Sequence, residues 1–258
     1  MSFRHKFATI VIQSRVSSKR FRRKCFAPIG AQTMIDRVFL QCKSANLQRM
    51  IILSTSDHED DVELHAAAKR NDVLSSRGPL DDIVQRLFLA SLLSENSTIV
   101  RIWGDCPLIC PKLIDEAIEK HISNDAIFTM TDTTHSYPKG QDLEIYNKEY
   151  LKTMHENLPK DSEYRTYPRD HITETLNSSE IQIVRSDLNR SEINLTVDYE
   201  ADLEYVKAIL EATGDINKTI RLDEVYRLLT LDSVKNREVT SQLPRNIEYN
   251  AFRKGTNG

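Results

Sequence analysis

Short unbroken apolar runs alternate with segments of helical spacing along the first half of the chain. Residues 7–14 (Phe-Ala-Thr-Ile-Val-Ile-Gln-Ser) have the pattern of a buried strand. Met34, Ile35, Val38, Phe39 and Cys42 then recur on one helical face. A short strand is predicted over 50–53. A helix over 57–69 follows, with its acids gathered in the first turn as the helix dipole favours. Further strands are predicted at 73–74, 99–103 and 126–129. Between them lie a helix over 80–93 and one that starts at Pro111 and places Leu113, Ile114, Ala117 and Ile118 together. This β-α repetition predicts a parallel sheet with helices on both faces.

The pattern loosens after residue 131. A polar loop over 131–140 precedes a strand at 143–146, helices at 150–156 and 169–176, and strands at 181–185 and 193–197. Helices over 201–212, with Leu203, Val206 and Leu210 on one face, and 222–229 close the pattern. There is no internal repeat and no low-complexity linker. The expectation is one domain over 1–250, with an insertion at about 131–185 for substrate binding or dimerisation, and a disordered tail over 251–258.

Thirty-five basic residues against 38 acidic ones give a net charge of −3, so the molecule as a whole is not built to bind a polyanion. The positive charge is local: Arg15, Lys19, Arg20, Arg22, Arg23 and Lys24 fall in one ten-residue stretch without an acid. Such a loop, released from a strand end, suits either a triphosphate or simple solvation. Aromatic residues do not interleave with it, which argues against nucleic acid. Four cysteines make no disulfide framework in a chain this long, and Cys106-x3-Cys110 lacks a second ligand pair for structural zinc. Reduced thiols, no secretory pattern and no apolar run near the ~20 residues of a membrane span point to the cytoplasm.

Candidate chemistry centres on Gly104-Asp105-Cys106-Pro107, at the end of the apolar run 98–103. A strand that stops on Gly-Asp delivers a carboxylate to the edge where open α/β sheets bind ligands. Asp198 ends a similar run, Leu195-Thr196-Val197. Each aspartate is either a cap for the helix that follows or one of two carboxylates for Mg²⁺, which fills its other positions with water and phosphate oxygens. His171 reads as a half-buried helix residue or a substrate contact. Glu144 reads as a solvent-facing strand residue or an acceptor contact. Ser54, Thr55 and Ser56 read as a helix cap or as partners for a base or ribose. Trp103 reads as core, and Gly78 as a turn.

Seven segments, in order, resemble the cytidylyltransferases of sugar-acid activation, and most closely the SpsF branch. The first loop runs Ser14-Arg15-Val16-Ser17-Ser18-Lys19-Arg20-Phe21-Arg22-Arg23-Lys24, where Arg15, Ser18, Arg20 and Lys24 match the family. Next come Leu53-Ser54-Thr55-Ser56-Asp57 and Arg77-Gly78-Pro79-Leu80-Asp81-Asp82. Arg101-Ile102-Trp103-Gly104-Asp105-Cys106-Pro107-Leu108-Ile109 is nearly complete. Tyr137-Pro138-Lys139-Gly140-Gln141-Asp142-Leu143-Glu144, Arg169-Asp170-His171-Ile172-Thr173 and Thr196-Val197-Asp198-Tyr199-Glu200-Ala201-Asp202-Leu203 complete the set. The sequence departs at Ser17, where the family has glycine, at Arg22-Arg23, where it has Pro-Gly, and at Cys110, where it has aspartate.

The resemblance implies a three-layer α/β/α, Rossmann-like fold of the nucleotide-diphospho-sugar transferase type, with a mostly parallel sheet. It implies CMP transfer from CTP to a 2-keto-3-deoxy sugar acid, with release of pyrophosphate, for surface polysaccharide or glycan synthesis by a homodimer. Arg15 and Lys24 are then the catalytic cations, and Asp105 and Asp198 the Mg²⁺ ligands. Gln13, Ser14, Ser18 and Arg20 fall to the nucleotide, as do Ser54, Thr55, Ser56, Gly78, Asp82, Arg101 and Gly104. Tyr137, Gln141, Glu144 and His171 fall to the acceptor. Another base, another acceptor (a sugar phosphate, phosphonate or polyol phosphate) and a catalytically weak binding subunit stay open. In the altered loop, either the added cations take over the phosphate contacts or turnover falls.

Overall fold

The computed structural model describes residues 6–237. The chain begins with β1 (Ala8–Gln13), which is wholly buried, and then the small antiparallel pair β2 (Pro28–Ile29) and β3 (Gln32–Thr33). Next come α1 (Met34–Lys43), β4 (Gln48–Ser56), α2 (Val62–Arg70), β5 (Leu74–Gly78), α3 (Ile83–Ser91) and β6 (Thr98–Trp103). α4 (Pro111–Ser123), β7 (Phe128–Thr131), β8 (Leu143–Asn147), α5 (Lys148–Asn157) and α6 (Pro168–Thr175) follow. β9 (Ile181–Val184), α7 (Glu200–Glu211) and α8 (Leu222–Leu228) come next.

Seven strands form one sheet in the order β5-β4-β1-β6-β8-β7-β9. Only β8 runs antiparallel to its neighbours, so the sheet is mostly parallel, as the β-α alternation predicts. Side chains alternate across it. Ile10, Ile12, Leu53, Val100 and Ile102 meet α1, α2, α4 and α7 in one apolar layer. Val11, Ile52, Ile99, Phe128 and Tyr146 meet α3, α5 and α6 in the other. Burial on both faces explains why these strands read as continuous apolar runs.

Local chemistry fixes the helix starts. Thr33 and Asp36 form a capping box on α1, Asp82 accepts the Gln85 N–H at the head of α3, and Pro111 opens α4. The helix expected over 57–69 starts later, at Val62, because Glu59–Asp61 wind as a 3₁₀ turn. β4 reaches three residues beyond the expected 53, so Ser54, Thr55 and Ser56 are buried strand residues rather than a cap. The strand expected over 193–197 is not a strand. That segment makes one isolated bridge, Lys139 to Asn194, outside the sheet. Its apolar side chains Ile193, Leu195 and Val197 are buried like a strand's, but its backbone pairs with the loop at Lys139 and with Asp105.

Among the described residues no helix is long and apolar enough to cross a membrane. All four cysteines are free and buried, and burial pushes the Cys25 thiol up to about 12. The expected tail, 251–258, lies outside the described residues.

Candidate active site

The tips of β1 and β6 touch. The Gly104 N–H donates to the Gln13 carbonyl at 2.8 Å, and a Cβ on Gly104 would lie 2.7 Å from Ser14 Cβ, so this contact needs a glycine. It sets Asp105 opposite the loop that leaves β1. That loop closes on itself at Arg23, a non-glycine residue at φ +55°. The left-handed conformation explains the glycine in the resembled family. Here the arginine is fixed instead by a two-pronged pairing with Glu63 of α2, at 2.9 and 2.6 Å, and by the Phe26 ring beneath it.

The turn that follows aims Lys24 into the cleft. Its Nζ donates to Asp105 Oδ2 at 2.8 Å, to Asp198 Oδ1 at 3.0 Å and to the Val197 carbonyl at 2.8 Å. Arg20 adds a second cation to Asp198, at 2.9 Å. Burial alone lowers the Lys24 pKa, but Asp105 and Asp198 outweigh it and the net shift is upward, so the ammonium stays charged. Asp198 is held by its neighbours. The Asp198 and Tyr199 N–H groups donate to Asp202 Oδ2, each at 2.8 Å, and the Val197 N–H donates to the Asp105 carbonyl at 3.0 Å. Two carboxylates distant in sequence therefore grip one cation.

A second network lies on the α3/α6 face of the same strand tips. Arg101 and Glu144 are direct cross-strand partners on β6 and β8. Arg101 donates to Glu144 Oε2 at 2.8 Å and to Gln13 Oε1 at 2.7 Å. Tyr146 and Arg169 also donate to Glu144, at 2.6 Å each. Burial would raise the Glu144 pKa, but Arg101 and Arg169 reverse the shift and keep the carboxylate ionised. Trp103 is packed under the Arg101 guanidinium, 4.4 Å from it, with that of Arg169 at 6.0 Å. Glu144 is thus neither solvent-facing nor open to a ligand; it acts by holding two arginines.

Asp61 is the anchor that sequence reasoning missed. Its carboxylate accepts the Val16 N–H at 2.7 Å and the Ser56 N–H at 3.1 Å, and also the Ser56 hydroxyl, tying the start of the basic loop to the tip of β4. In sequence it is one acid among several at a helix start. Asp202, the N3 residue of α7, stands in the resembled segment 196–203 but was given no role there; it holds Asp198 through the backbone.

The other expected residues divide. Ser14 donates its N–H to the Ser54 carbonyl, and the Ser18 hydroxyl accepts the Phe21 N–H within the loop. Arg15 is exposed, at the loop's start. Gly78 ends β5 against Arg86 of α3. Thr55 is buried on β4. Asp82, besides capping α3, accepts the buried Arg165 Nε at 2.6 Å, which commits both its oxygens to structure. Gln141 is buried and clamps the loop after Asp105, accepting the Cys110 N–H at 2.9 Å and donating to the Leu108 carbonyl at 2.8 Å. Tyr137 lines a separate cavity of about 450 Å³ with Cys110, Leu113 and Leu222. His171, in α6, packs against the Tyr164 ring, and among the described residues no hydrogen bond or ion pair joins it to the Lys24 cluster.

Among the described residues no group of three or more His, Cys, Asp and Glu side chains is placed to hold a metal. The Asp105–Asp198 pair nevertheless already coordinates an ammonium. That donor set suits a hard divalent cation that takes its remaining ligands from water and phosphate.

A mostly parallel sheet with a basic loop and a cation-gripping acid pair at its strand tips defines an enzyme that handles phosphorylated ligands. The sequence profile of the family described as Cytidylyltransferase matches residues 9–231, and the chain belongs to that family. It resembles SpsF, the spore coat polysaccharide biosynthesis protein of Bacillus subtilis, at 22% identity over 211 residues, 80% of this chain and 87% of that protein. A cytidylyltransferase from Leptospira borgpetersenii shares the fold with TM-score 0.80 at 24% identity, covering 88% of this chain and 94% of that one. So does CMP:2-keto-3-deoxy-manno-octonic acid synthetase complexed with CTP, with TM-score 0.63 at 15% identity, covering 80% and 99%. The protein is a nucleotidyltransferase of the cytidylyltransferase class.

Proposed function

We propose that the protein transfers CMP from CTP to a 2-keto-3-deoxy-type sugar acid, with release of pyrophosphate, for surface polysaccharide or glycan synthesis. The observation that supports this best is the convergence of Asp105 and Asp198 on one cation beneath the basic loop. CTP lies along the strand tips with its phosphates under residues 14–24. Arg15, Lys24 and Arg20 neutralise the phosphates and hold the tail in line, and Ser14 and Ser18 lie beside it on the same loop. Asp105 and Asp198 hold Mg²⁺, which when bound withdraws charge from the phosphate oxygens. An acceptor hydroxyl forms the new O–Pα bond as the bridging Pα–O bond breaks. Pyrophosphate carries off the electron pair, and the hydroxyl proton passes to water.

On the acceptor side, Glu144 presents Arg169 to a carboxylate. Gln141 shapes the loop that carries Asp105, and Tyr137 and His171 border the acceptor. The Arg101–Gln13 pair and the Ser54, Thr55, Ser56 and Gly78 strand ends serve the nucleoside. Asp82 and Gly104 serve it indirectly, through the head of α3 and the β1–β6 contact. This reading includes a cytoplasmic homodimer.

Pyrophosphate release, measured with each of the four nucleoside triphosphates over a panel of sugar acids, sugar phosphates and polyol phosphates, tests the proposal. CTP with a 2-keto-3-deoxy sugar acid should turn over alone. Turnover with another base or a phosphorylated acceptor would reassign the substrate. Thermal stabilisation by CTP without turnover on any acceptor would make the chain a binding subunit.

A further inference from the structure

Arg86 of α3 is a buried arginine at the strand tips whose guanidinium has no hydrogen bond and no ion pair among the described residues. The residue is only 4% exposed, and its Nε is buried without a partner. Burial, and then the neighbouring charges of Arg101 and Arg15, lower its pKa to about 10, against the opposing pull of Asp61 and Asp81. It is therefore charged at neutral pH. A buried, uncompensated cation is costly to a fold, and nothing in the packing of α3 calls for one.

A second orphan donor stands beside it. Gln13 is 7% exposed; its Oε1 is taken by Arg101, while its Nε2 is buried and unpartnered. Two contacts bring the pair together. Gln13 is in register with Ser54 of β4, and the Ser54 hydroxyl donates to the Arg86 carbonyl at 3.4 Å. Gly78, at the end of β5, leaves room for the Arg86 stem, which a Cβ there would approach at 3.1 Å.

We propose that Arg86 and Gln13 form a buried donor pair that reads the O2/N3 edge of cytosine. The phosphate tail has its own subsite. Lys24 is held between Asp105 and Asp198, whereas the Arg86 stem lies against Gly78 at the end of β5. With the tail at β6 and the basic loop, the base extends toward β1, β4 and β5, where the orphan donors lie. Arg and the Gln amide nitrogen only donate, so the ligand must present adjacent acceptors. Cytosine does so at O2 and N3, whereas uracil places an N–H between its two carbonyls. A site built on unpaired buried donors rejects the wrong edge strongly. This inference rests on the CTP reading above and adds the residues that select the base.

The test is calorimetric titration of the full-length protein with CTP, UTP and CMP, using wild type, Arg86→Met and Arg86→Lys, together with melting of each protein without ligand. Wild type should prefer CTP to UTP by about tenfold or more. Arg86→Met should bring CTP and UTP within about twofold, weaken CMP as much as CTP, and melt at or above wild type once the unpaired charge is gone. A loss that grows from CMP to CTP while the CTP:UTP ratio persists would give Arg86 to the phosphates and overturn the proposal. So would an Arg86→Met protein that melts lower or fails to fold while Arg86→Lys folds, because the arginine would then be structural. Wild type that prefers CTP alongside an unchanged Arg86→Met overturns this inference alone. Wild type that binds none of the three nucleotides overturns the nucleotidyl-transfer reading as well.

Discussion

Lys24→Met is the perturbation that most sharply probes the ion cluster. In the free protein the Lys24 ammonium separates two carboxylates, at 2.8 Å from one and 3.0 Å from the other, so their oxygens are at most about 5.8 Å apart. Both carboxylates and the lysine are less than one-quarter exposed. Two unit charges at that distance in an effective dielectric of about 20 repel by roughly 3 kcal/mol. Arg20, which pairs with Asp198 and is itself half exposed, relieves a minor part of this. That repulsion is present with or without the lysine; Lys24→Met removes the attraction that offsets it, and breaking such a part-buried ion cluster should cost on the order of 3 kcal/mol without metal, a drop of roughly 6–12 °C in melting temperature for a chain of this size. A divalent cation should recover most of that loss, because it replaces the ammonium between the same oxygens. Thermal melts of wild type and Lys24→Met in EDTA and in millimolar Mg²⁺ measure this, with Lys24→Met/Asp198→Asn as control. The Mg²⁺-induced rise should be several degrees larger in Lys24→Met than in wild type and should vanish in the double variant. An unchanged melting temperature in EDTA, or a Mg²⁺ response that ignores Asp198, would refute the idea that Lys24 stands in the cation position.

Two further outcomes follow from buried groups. Asp61→Ala leaves the Val16 and Ser56 N–H groups unpaired and frees the basic loop from β4. Urea unfolding should show a loss of about 3–5 kcal/mol, and the KM for CTP should rise in any protein that still folds. His121 is buried beside Thr129, and burial lowers its pKa from 6.5 to about 4. Between those values the unfolded chain binds a proton that the folded chain refuses, so stability falls as pH drops from 6.5 toward 4, by up to about 3 kcal/mol. His121→Gln should flatten that slope in urea titrations across the range; an equal slope in the variant would assign the pH dependence to other groups.

What the sequence revealed tracks what is local. β6 followed by Gly-Asp was legible because a buried strand and the residue at its tip are neighbours in the chain. The loop cations were legible for the same reason. The segment ending at Asp198 was misread because Ile193, Leu195 and Val197 alternate as a strand does, while its backbone partner is a loop residue, Lys139, that no local pattern reveals. Glu144 looked like a solvent-facing or ligand-facing acid. Its burial depends on β8 entering the sheet antiparallel beside β6, which sets it opposite Arg101. Arg86 gave no signal, since an arginine in an amphipathic helix ordinarily reaches water. Its isolation follows from the way α3 packs against β4 and β5 under Gly78.

The most direct measurement is divalent-dependent pyrophosphate release from CTP by wild type, Asp105→Ala and Asp198→Ala, with folding of each variant checked by circular dichroism. Loss of release in both folded variants, with CTP still bound through the basic loop, is the predicted result. Wild-type rates from either folded variant would show that the two carboxylates do not serve a shared cation in catalysis.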